Sequence, residues 1–265
     1  MTEFGNLLLI GFGGKGLMLT ALNTMPSPPG EIANWGVTGF DLTPYGVPGI
    51  SAGTQVDAAR GFGGLLHVFS SGGCARINQP DVTVANLTWS QCTPSAPAYA
   101  AKVSLATQKS ADLTPADYAF PAVVPYAGRL YAAHNTVAGP QLWACAPGPD
   151  GVCDPGDWSL VAPNGSGDAE LTQFDDPASV AITLLAATST HLYVGFDNAG
   201  GIGVFRSLVT TPASRGDFER VGPAGMGLSA TRIFDGKAIA FSGSQFVYAT
   251  IGDGTSPVQL VRLVE

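Results

Sequence analysis

Four short apolar segments follow one another in the second half of the chain: Ala181-Ile-Thr-Leu-Leu-Ala, His191-Leu-Tyr-Val-Gly-Phe, Gly203-Val-Phe-Arg-Ser and Phe218-Glu-Arg-Val-Gly. The same order returns further on as Lys237-Ala-Ile-Ala-Phe, Phe246-Val-Tyr-Ala-Thr and Val258-Gln-Leu-Val-Arg. Each segment has the length of one strand, and turn-forming residues separate the segments. A four-strand unit that recurs about every 60 residues is typical of a β-propeller, whose blades bury their faces against one another.

We name the strands of one unit a, b, c and d in chain order. Strand b is the best marked, and its copies begin at residues 8, 66, 130, 192 and 247, which are 58, 64, 62 and 55 residues apart. Strand d opens with an aromatic residue in four units: Trp35, Trp89, Trp158 and Phe218. A large ring at one position of each blade fills the wedge between adjacent sheets.

The sequence therefore predicts an all-β fold, a β-propeller of about five four-stranded blades in a single domain over residues 1–265. The predicted blade units span approximately residues 1–40, 57–92, 117–163, 176–222 and 235–265. The first unit shows no obvious strand a and the last shows no strand d. Two interpretations stay open, a five-bladed ring with atypical closure and a piece of a longer chain.

Composition limits the classes of partner. The net charge is −8 and the 12 basic residues are scattered, whereas nucleic-acid binding needs a clustered basic face. No apolar run reaches the length of a transmembrane span. We therefore expect neither a nucleic-acid partner nor a membrane span. The expected partners are a surface protein or a glycan, and open end blades predict a route to oligomers.

The four cysteines form two local pairs in the sequence. Cys74 and Cys92 belong to the second unit, and Cys145 and Cys153 to the third, although sequence alone allows three pairings. The even count and the spacing predict disulfides and an oxidising compartment. We therefore expect an extracellular or cell-surface protein, although this chain shows no signal peptide, because Glu3 stands where a basic region belongs.

Long loops between strands d and a lie on the same propeller face as the b–c turns, and this loop face is the expected binding face. An aspartate precedes strand a in most units and would line the mouth of a central channel: Asp57, Asp117, Asp175 or Asp176, and Asp235. These carboxylates could bind a cation or sugar hydroxyls. They could equally cap the turn that enters each strand, which their recurrence favours.

The b–c turns supply further candidate binding residues. His134 and Asn135 break the repeat pattern, and a histidine there could act as an acid, a base or a ligand. The corresponding turns of the last two units contain Asp197, Asn198 and Asp253. A turn or surface role is the alternative for each of them.

Calcium is the one candidate cofactor. Asp150, Asp154 and Asp157 alternate with Gly and Pro around Cys153, and such oxygen-rich loops can wrap a calcium ion. The segment does not match the twelve-residue calcium loop, and Asp157 also has a repeat counterpart in Asp217.

No hydrolase elbow, phosphate loop or metalloprotease motif occurs, so no catalytic residue is assigned. A glycosidase needs two carboxyl groups at a set separation. Glu170, in a d–a loop, is the best-placed general acid, and Asp175 is its nearest partner in sequence.

The segments Leu192-Tyr-Val-Gly-Phe, Val204-Phe-Arg-Ser and Asp217-Phe-Glu-Arg-Val resemble degenerate repeats of sialidase-like extracellular bacterial propellers. The resemblance covers most of the chain at the level of strand pattern. It implies the fold and a location outside the cell. The family's Asp-box is absent, since Ser207 is followed by Leu-Val-Thr, and no sialidase arginine triad can be mapped.

These observations favour a non-catalytic extracellular or cell-surface module for adhesion or for binding protein or glycan through its loop face. One alternative is a glycan-active hydrolase or lyase that uses loop carboxylates. Another is a structural subunit of a surface assembly, whose open blade edges pair with neighbouring chains.

Overall fold

The computed structural model describes residues 2–4, 7–12, 16–21, 38–40, 56–70, 73–77, 89–92, 120–136, 139–161 and 172–263. The regular structure of this part is almost entirely antiparallel β-sheet, with three short 3₁₀ turns. The chain divides into two compact units, Met1–Tyr99 with Pro147–Asp157, and Ala100–Ala146 with Trp158–Glu265. The single-domain organisation stays a prediction.

The first compact unit contains two four-stranded sheets. The strands of the first sheet, in their order across it, are β1 (Thr2–Phe4), β2 (Leu7–Phe12), β3 (Gly16–Ala21) and β4 (Thr38–Phe40). Those of the second are β5 (Val56–Phe62), β6 (Leu65–Ser70), β7 (Gly73–Ile77) and β8 (Trp89–Gln91).

The described part of the second compact unit contains three sheets. The first has β9 (Val123–Tyr126), β10 (Arg129–Thr136), β11 (Gly139–Cys145) and β12 (Trp158–Leu160). The next has β13 (Ser179–Ala187), β14 (Leu192–Asn198), β15 (Gly203–Ser207) and β16 (Phe218–Arg220). The last has β17 (Arg232–Phe241), β18 (Ser244–Gly252) and β19 (Gln259–Leu263).

The predicted fold class is confirmed: the described residues form four four-stranded antiparallel meander sheets and one three-stranded sheet, of the β-propeller type. Strand d begins where its aromatic residue predicts, at Trp89, Trp158 and Phe218, whereas Trp35 lies outside the described residues. One expectation was wrong. The first unit does possess a strand a, because Thr2–Phe4 pairs antiparallel with Leu7–Leu9.

Three of the a–b hairpins share one turn. Their two central residues all have positive φ, and they are Gly63-Gly64, Ala127-Gly128 and Ser242-Gly243. Two successive positive φ angles define the type I′ turn, whose twist matches that of the strands it joins. The second position is glycine each time because that conformation strains other residues.

Aromatic packing fills the space between the sheets of β9–β12 and β13–β16. Phe174, from the loop that enters β13, lies 4.8 Å from the rings of both Phe205 and Phe218 and 5.2 Å from Phe196. All four rings belong to one buried cluster. The ring that opens strand d thus fills the wedge between two sheets, as the repeat predicts.

A Gly-Asp pair leads directly into the aromatic residue that begins strand d in two of the described sheets, at Trp158 and at Phe218. Asp217 Oδ2 accepts hydrogen bonds from the backbone N–H groups of Ala213 and Ser214, at 2.8 Å each. Asp157 Oδ2 accepts the N–H of Asp154, also at 2.8 Å. The aspartate therefore closes a short turn that directs the chain into strand d.

We predict that Gly195→Ala destabilises the protein by about 1–3 kcal/mol, because it overpacks the core beside β14. A Cβ at Gly195 would lie 2.6 Å from Ile233 Cδ1 and 2.8 Å from Leu184 Cβ. Gly216→Ala is the control, since its Cβ would meet only Ser214 Oγ at 3.9 Å. Urea denaturation of both variants checks the prediction, and equal midpoints would contradict it.

Candidate functional site

The aspartates expected to line a channel mouth have separate local roles. Asp57 lies inside β5 at a bulge, and the exposed Asp235 lies inside β17, so neither precedes its strand as predicted. Asp175 is exposed and pairs with Arg215 at 3.1 Å. Asp176 Oδ1 caps the N–H of Ala178 at 3.0 Å. Asp117 lies outside the described residues.

His134 does not lie in the b–c turn, because β10 continues through it and its side chain is only 7% exposed. Its Nδ1 lies 2.9 Å from Gln141 Oε1, an acceptor, so the proton of the neutral ring is on Nδ1. The ring stacks on Phe120 with centroids 4.5 Å apart. Burial lowers the pKa of His134 from 6.5 to about 4, so the ring is neutral at pH 7.

Asn135 is also buried within β10 rather than exposed in a turn. Its amide forms a pair of hydrogen bonds with the backbone of Ile182 in the next sheet. Nδ2 donates to the carbonyl at 3.0 Å, and Oδ1 accepts the N–H at 2.9 Å. The amide satisfies both backbone groups of Ile182 and links two neighbouring sheets.

Asp197 occupies the position of Asn135 in the next repeat, 62 residues on, and is likewise buried in its strand. Its Oδ1 accepts the backbone N–H of Ile233 at 2.8 Å and the hydroxyl of Thr183 at 2.7 Å. Burial raises the pKa of this carboxyl, although the hydrogen bonds to the charged form oppose the shift. Asp197 therefore holds a proton more readily than an ordinary aspartate.

Asn198, the last residue of β14, is buried as well, and its Nδ2 donates to Asp176 Oδ2 at 2.7 Å. Its backbone N–H donates to the carbonyl of Thr231, whose own N–H donates to the carbonyl of Gly252. This row of backbone hydrogen bonds connects the end of β14 with the end of β18. Asp197 directly precedes Asn198 at one end of this row, and Asp253 directly follows Gly252 at the other end.

Asp253 lies in the b–c turn of the last sheet, as the sequence predicts. Its Oδ1 accepts the N–H groups of Thr255 at 2.8 Å and Ser256 at 2.6 Å, and Oδ2 accepts the Ser256 hydroxyl at 2.8 Å. These donors, with the Ser256 N–H first, hold the pKa of Asp253 well below its usual range. The carboxylate therefore stays ionised.

A cleft of about 550 Å³ opens beside Asp253. One wall is the d–a connection between β16 and β17, and the other is the b–c turn with the start of β19. Its lining residues are Gly227, Leu228, Ser229, Ala230, Ile251, Gly252, Asp253, Ser256, Pro257 and Gln259. The cleft lies where d–a and b–c connections meet, the face on which the sequence places a site.

Sequence analysis missed Ser229, Ser256 and Gln259, which supply polar groups to this cleft. Ser256 had a signal, since Asp253-Gly-Thr-Ser is a pattern in which an aspartate caps the residues that follow it. Ser229 and Gln259 had none, because tertiary structure alone brings their segments together.

The calcium candidates do not form one ligand set. No group of three His, Cys, Asp or Glu side chains able to hold a metal occurs among the described residues. Asp157 Oδ2 is engaged by the Asp154 N–H, and Asp150 Oδ1 accepts the N–H of Val152 at 3.2 Å. Asp150 and Asp157 thus serve local turns.

Cys92, Cys145 and Cys153 are each part of a disulfide, so the predicted oxidised cysteines are confirmed at these positions. The side chain of Cys74 lies outside the described part, and the two in-blade pairings remain a prediction. Among the described residues, no helix is long and apolar enough to cross a membrane.

No protein-family model matches the chain, and no curated protein matches it. Among solved structures, it is similar to an exo-1,5-α-L-arabinanase from a bovine ruminal metagenomic library, with 14% identity and a TM-score of 0.41, over 99% of this chain and 90% of that one. It is similar to the α-L-arabinanase of Cellvibrio cellulosa, with 11% identity and a TM-score of 0.40, over 99% and 89%. An engineered GH43 glycoside hydrolase matches over 78% and 40%, with 14% identity and a TM-score of 0.33.

The expectation of a non-catalytic adhesion or binding module is contradicted by this comparison, because the similar structures are those of glycan-cleaving enzymes. Identities this low bear on the fold alone. They assign no activity and no residue to this chain.

Proposed function

We propose that the protein is a glycan-active hydrolase whose chemistry takes place at the cleft between the last two sheets. The observation that carries the proposal is a pair of carboxyl groups with opposite proton preferences at one end of these sheets. Burial raises the pKa of Asp197, and hydrogen bonds lower that of Asp253. Environments that push two pKa values apart assign the acid and the base of a hydrolase.

We assign Asp197 the role of proton donor through one bridging water molecule, because this residue is only 7% exposed and its carboxyl group does not itself line the cleft. Asn135 lies at the equivalent position of the preceding sheet and forms two hydrogen bonds with the backbone of Ile182 in the next sheet. Asp197 forms only one bond of this kind, from the backbone N–H of Ile233. A neutral amide therefore fits this position. A buried carboxyl is the more expensive choice, because burial penalises its charged form. A costly titratable group where a neutral one fits is a mark of function.

Asp253 acts as the ionised partner. An ionised carboxylate offers about four lone-pair sites. Oδ1 accepts three hydrogen bonds, from the N–H and hydroxyl of Thr255 and the N–H of Ser256, whereas Oδ2 accepts one. Oδ2 therefore keeps capacity to accept a proton or a hydrogen bond from a water molecule or a sugar hydroxyl at the cleft.

The cleft suits a carbohydrate. Its volume of about 550 Å³ lies in the range of small-molecule sites, and Ser229, Ser256 and Gln259 offer hydrogen bonds to sugar hydroxyls.

Two finer features complete the proposal. The strand pattern represents degenerate sialidase-like repeats, supported by the segments Leu192–Phe196 and Val204–Ser207. The protein acts outside the cell, supported by its disulfide-bonded cysteines, since disulfides persist in oxidising compartments.

We expect Asp253→Asn to lower hydrolysis by about a hundredfold or more, because it removes the ionised partner while Oδ1 still caps the turn. The measurement is reducing-end release from a panel of polysaccharides that includes arabinan and xylan. Asp235→Asn is the matched control, since this exposed carboxylate does not line the cleft. Equal activity of Asp253→Asn and wild type would refute the role of Asp253.

A further inference from the structure

A β-bulge in β13 aims the side chain of Thr183 at Asp197. The pairs of residues on either side of Thr183 are Ile182 with Phe196 and Leu184 with Gly195. Thr183 is therefore an extra residue with no Cα partner on β14, and a bulge of this kind redirects the side chain that it carries. The hydroxyl of Thr183 donates to Asp197 Oδ1 at 2.7 Å.

The last sheet has a bulge at the same place in its strand a. Phe234 is the extra residue, because the register between β17 and β18 shifts between Ile233 and Asp235. Its ring lies over Gly252, which occupies the position of Asp197 one repeat later: a Cβ at Gly252 would lie 3.1 Å from Phe234 Cε2. The bulge thus directs its side chain at this position of strand b in both sheets.

The residue types at these two positions, the bulge and the facing residue of strand b, change together. In the preceding sheet, Asn135 replaces Asp197 and Pro121 replaces Thr183, both at an offset of 62 residues. In the last sheet, a phenylalanine faces a glycine. Among the described residues, a hydroxyl donor therefore occupies the bulge only where strand b carries an acid.

The two oxygens of Asp197 differ in their partners. Oδ1 accepts the backbone N–H of Ile233 at 2.8 Å as well as the Thr183 hydroxyl. These two donors fill the two lone-pair sites of one carboxylate oxygen, so a proton binds to Oδ2. No described residue donates to Oδ2, and Oδ2 is not one of the buried polar atoms left without a partner. It is therefore the oxygen that water can reach.

The charged surroundings of Asp197 leave the hydroxyl a clear effect. The charged residues on the strands and turns around it are Asp176, Arg206, Arg232, Asp235, Lys237 and Asp253. The charge of Arg232 lowers the pKa of Asp197, as the Thr183 hydroxyl does, but burial is the larger cause and keeps the pKa raised. Removing the hydroxyl should raise the pKa of Asp197 further, because a bond to the charged form is lost.

We propose that Thr183 is a positioning residue for the general acid: its hydroxyl holds Oδ1 of Asp197, fixes the proton on Oδ2 and eases the release of that proton. The inference rests on the proposed function of Asp197. When the O–H bond at Oδ2 breaks, the proton passes to the bridging water, which gives one of its own protons to the leaving glycosidic oxygen. The carboxylate that remains keeps both donors on Oδ1 and afterwards regains a proton from solvent.

Thr183→Val tests the proposal, because it removes the hydroxyl and keeps the branched shape. The measurement is an NMR titration of the Asp197 carboxyl carbon in the intact protein with isotope-labelled aspartate, and Asp197→Asn assigns the signal. We expect Asp197 to bind its proton about tenfold more tightly in Thr183→Val than in wild type, because the charged form loses one hydrogen bond. Thr183→Ser keeps a hydroxyl and should titrate like wild type.

The pH profile of hydrolysis is a second readout, which a purely structural role would not move. A general acid works only in its protonated form, so the fall of kcat/KM at high pH should move to higher pH in Thr183→Val and not in Thr183→Ser. An unchanged Asp197 titration in Thr183→Val would overturn the proposal, as would equal shifts in Thr183→Val and Thr183→Ser. Thr183→Ala provides the same test if Val does not fit the bulge.

The titration does not depend on enzymatic activity. Lack of hydrolysis by the wild-type protein would refute the proposed function, but the titration would still support or overturn the effect of Thr183 on Asp197. A titration that shifts as expected while the pH profile of hydrolysis stays fixed would reject Asp197 as the acid, and with it the catalytic part of the inference.

Discussion

Asp197→Asn is expected to lower glycan hydrolysis by about a hundredfold to ten-thousandfold, the usual contribution of a general acid. The same substitution should leave the free energy of unfolding at pH 7 unchanged or raise it. Asn fits the position, as Asn135 shows in the preceding sheet, and its Oδ1 can keep the bonds from Ile233 and Thr183. A variant that loses function and gains stability is the signature of a functional group held at a structural cost.

The reverse exchange, Asn135→Asp, is the matched control. It removes the donor to the Ile182 carbonyl and places a carboxyl in a buried position, so we expect a loss of about 1–3 kcal/mol in stability. Hydrolysis per folded molecule should not change. Denaturant titration and reducing-end assays on both variants measure the two effects. Destabilisation by Asp197→Asn with unaltered hydrolysis would assign Asp197 a purely structural role.

The second large effect is a loss of stability at mildly acidic pH that depends on His134. Burial lowers the pKa of this ring from 6.5 to about 4, so between these values the unfolded chain binds more protons than the native protein. Stability from this group is therefore complete above about pH 6.5 and declines as the pH falls towards 4. The shift corresponds to about 3 kcal/mol.

His134→Phe isolates this contribution, because Phe196 occupies the same position in the next repeat and Gln141 Oε1 keeps its bond from Trp143 Nε1 at 3.1 Å. The free energy of unfolding of wild type minus that of His134→Phe should fall by about 3 kcal/mol between pH 7 and pH 4. Asp197 titrates in the opposite sense but is common to both proteins. If this difference in the free energy of unfolding did not change with pH, His134 would have the same pKa in the folded and the unfolded protein.

The strands could be predicted because each repeat places residues of the same type at the same spacing along the sequence. Trp158 and Phe218 open strand d where expected, since a ring followed by alternating residues is a local signal. β1 was missed because Thr2-Glu3-Phe4 is too short to show alternation. The type I′ turns at Ala127-Gly128 and Ser242-Gly243 were missed because Ala and Ser are weak signals for positive φ.

The site was less predictable because its properties arise from contacts between distant segments. His134, Asn135 and Asp197 were expected in turns, yet each lies in a strand, and Asn135 and Asp197 bond to the backbone of the next sheet. Asn135 bonds to a residue 47 positions away, and Asp197 to one 36 positions away. The raised pKa of Asp197 results from burial, which no local pattern shows. Asp253 was placed correctly because its own turn supplies its donors.

Sugar release by the wild-type protein is the most direct test of the central claim. The protein is incubated with neutral and acidic polysaccharides, new reducing ends are quantified, and the products are examined for unsaturated sugars by ultraviolet absorbance. We predict new reducing ends on at least one polysaccharide, no unsaturated products, and loss of the activity in Asp197→Asn. Reducing ends no higher than with heat-denatured protein across the panel would contradict a hydrolase.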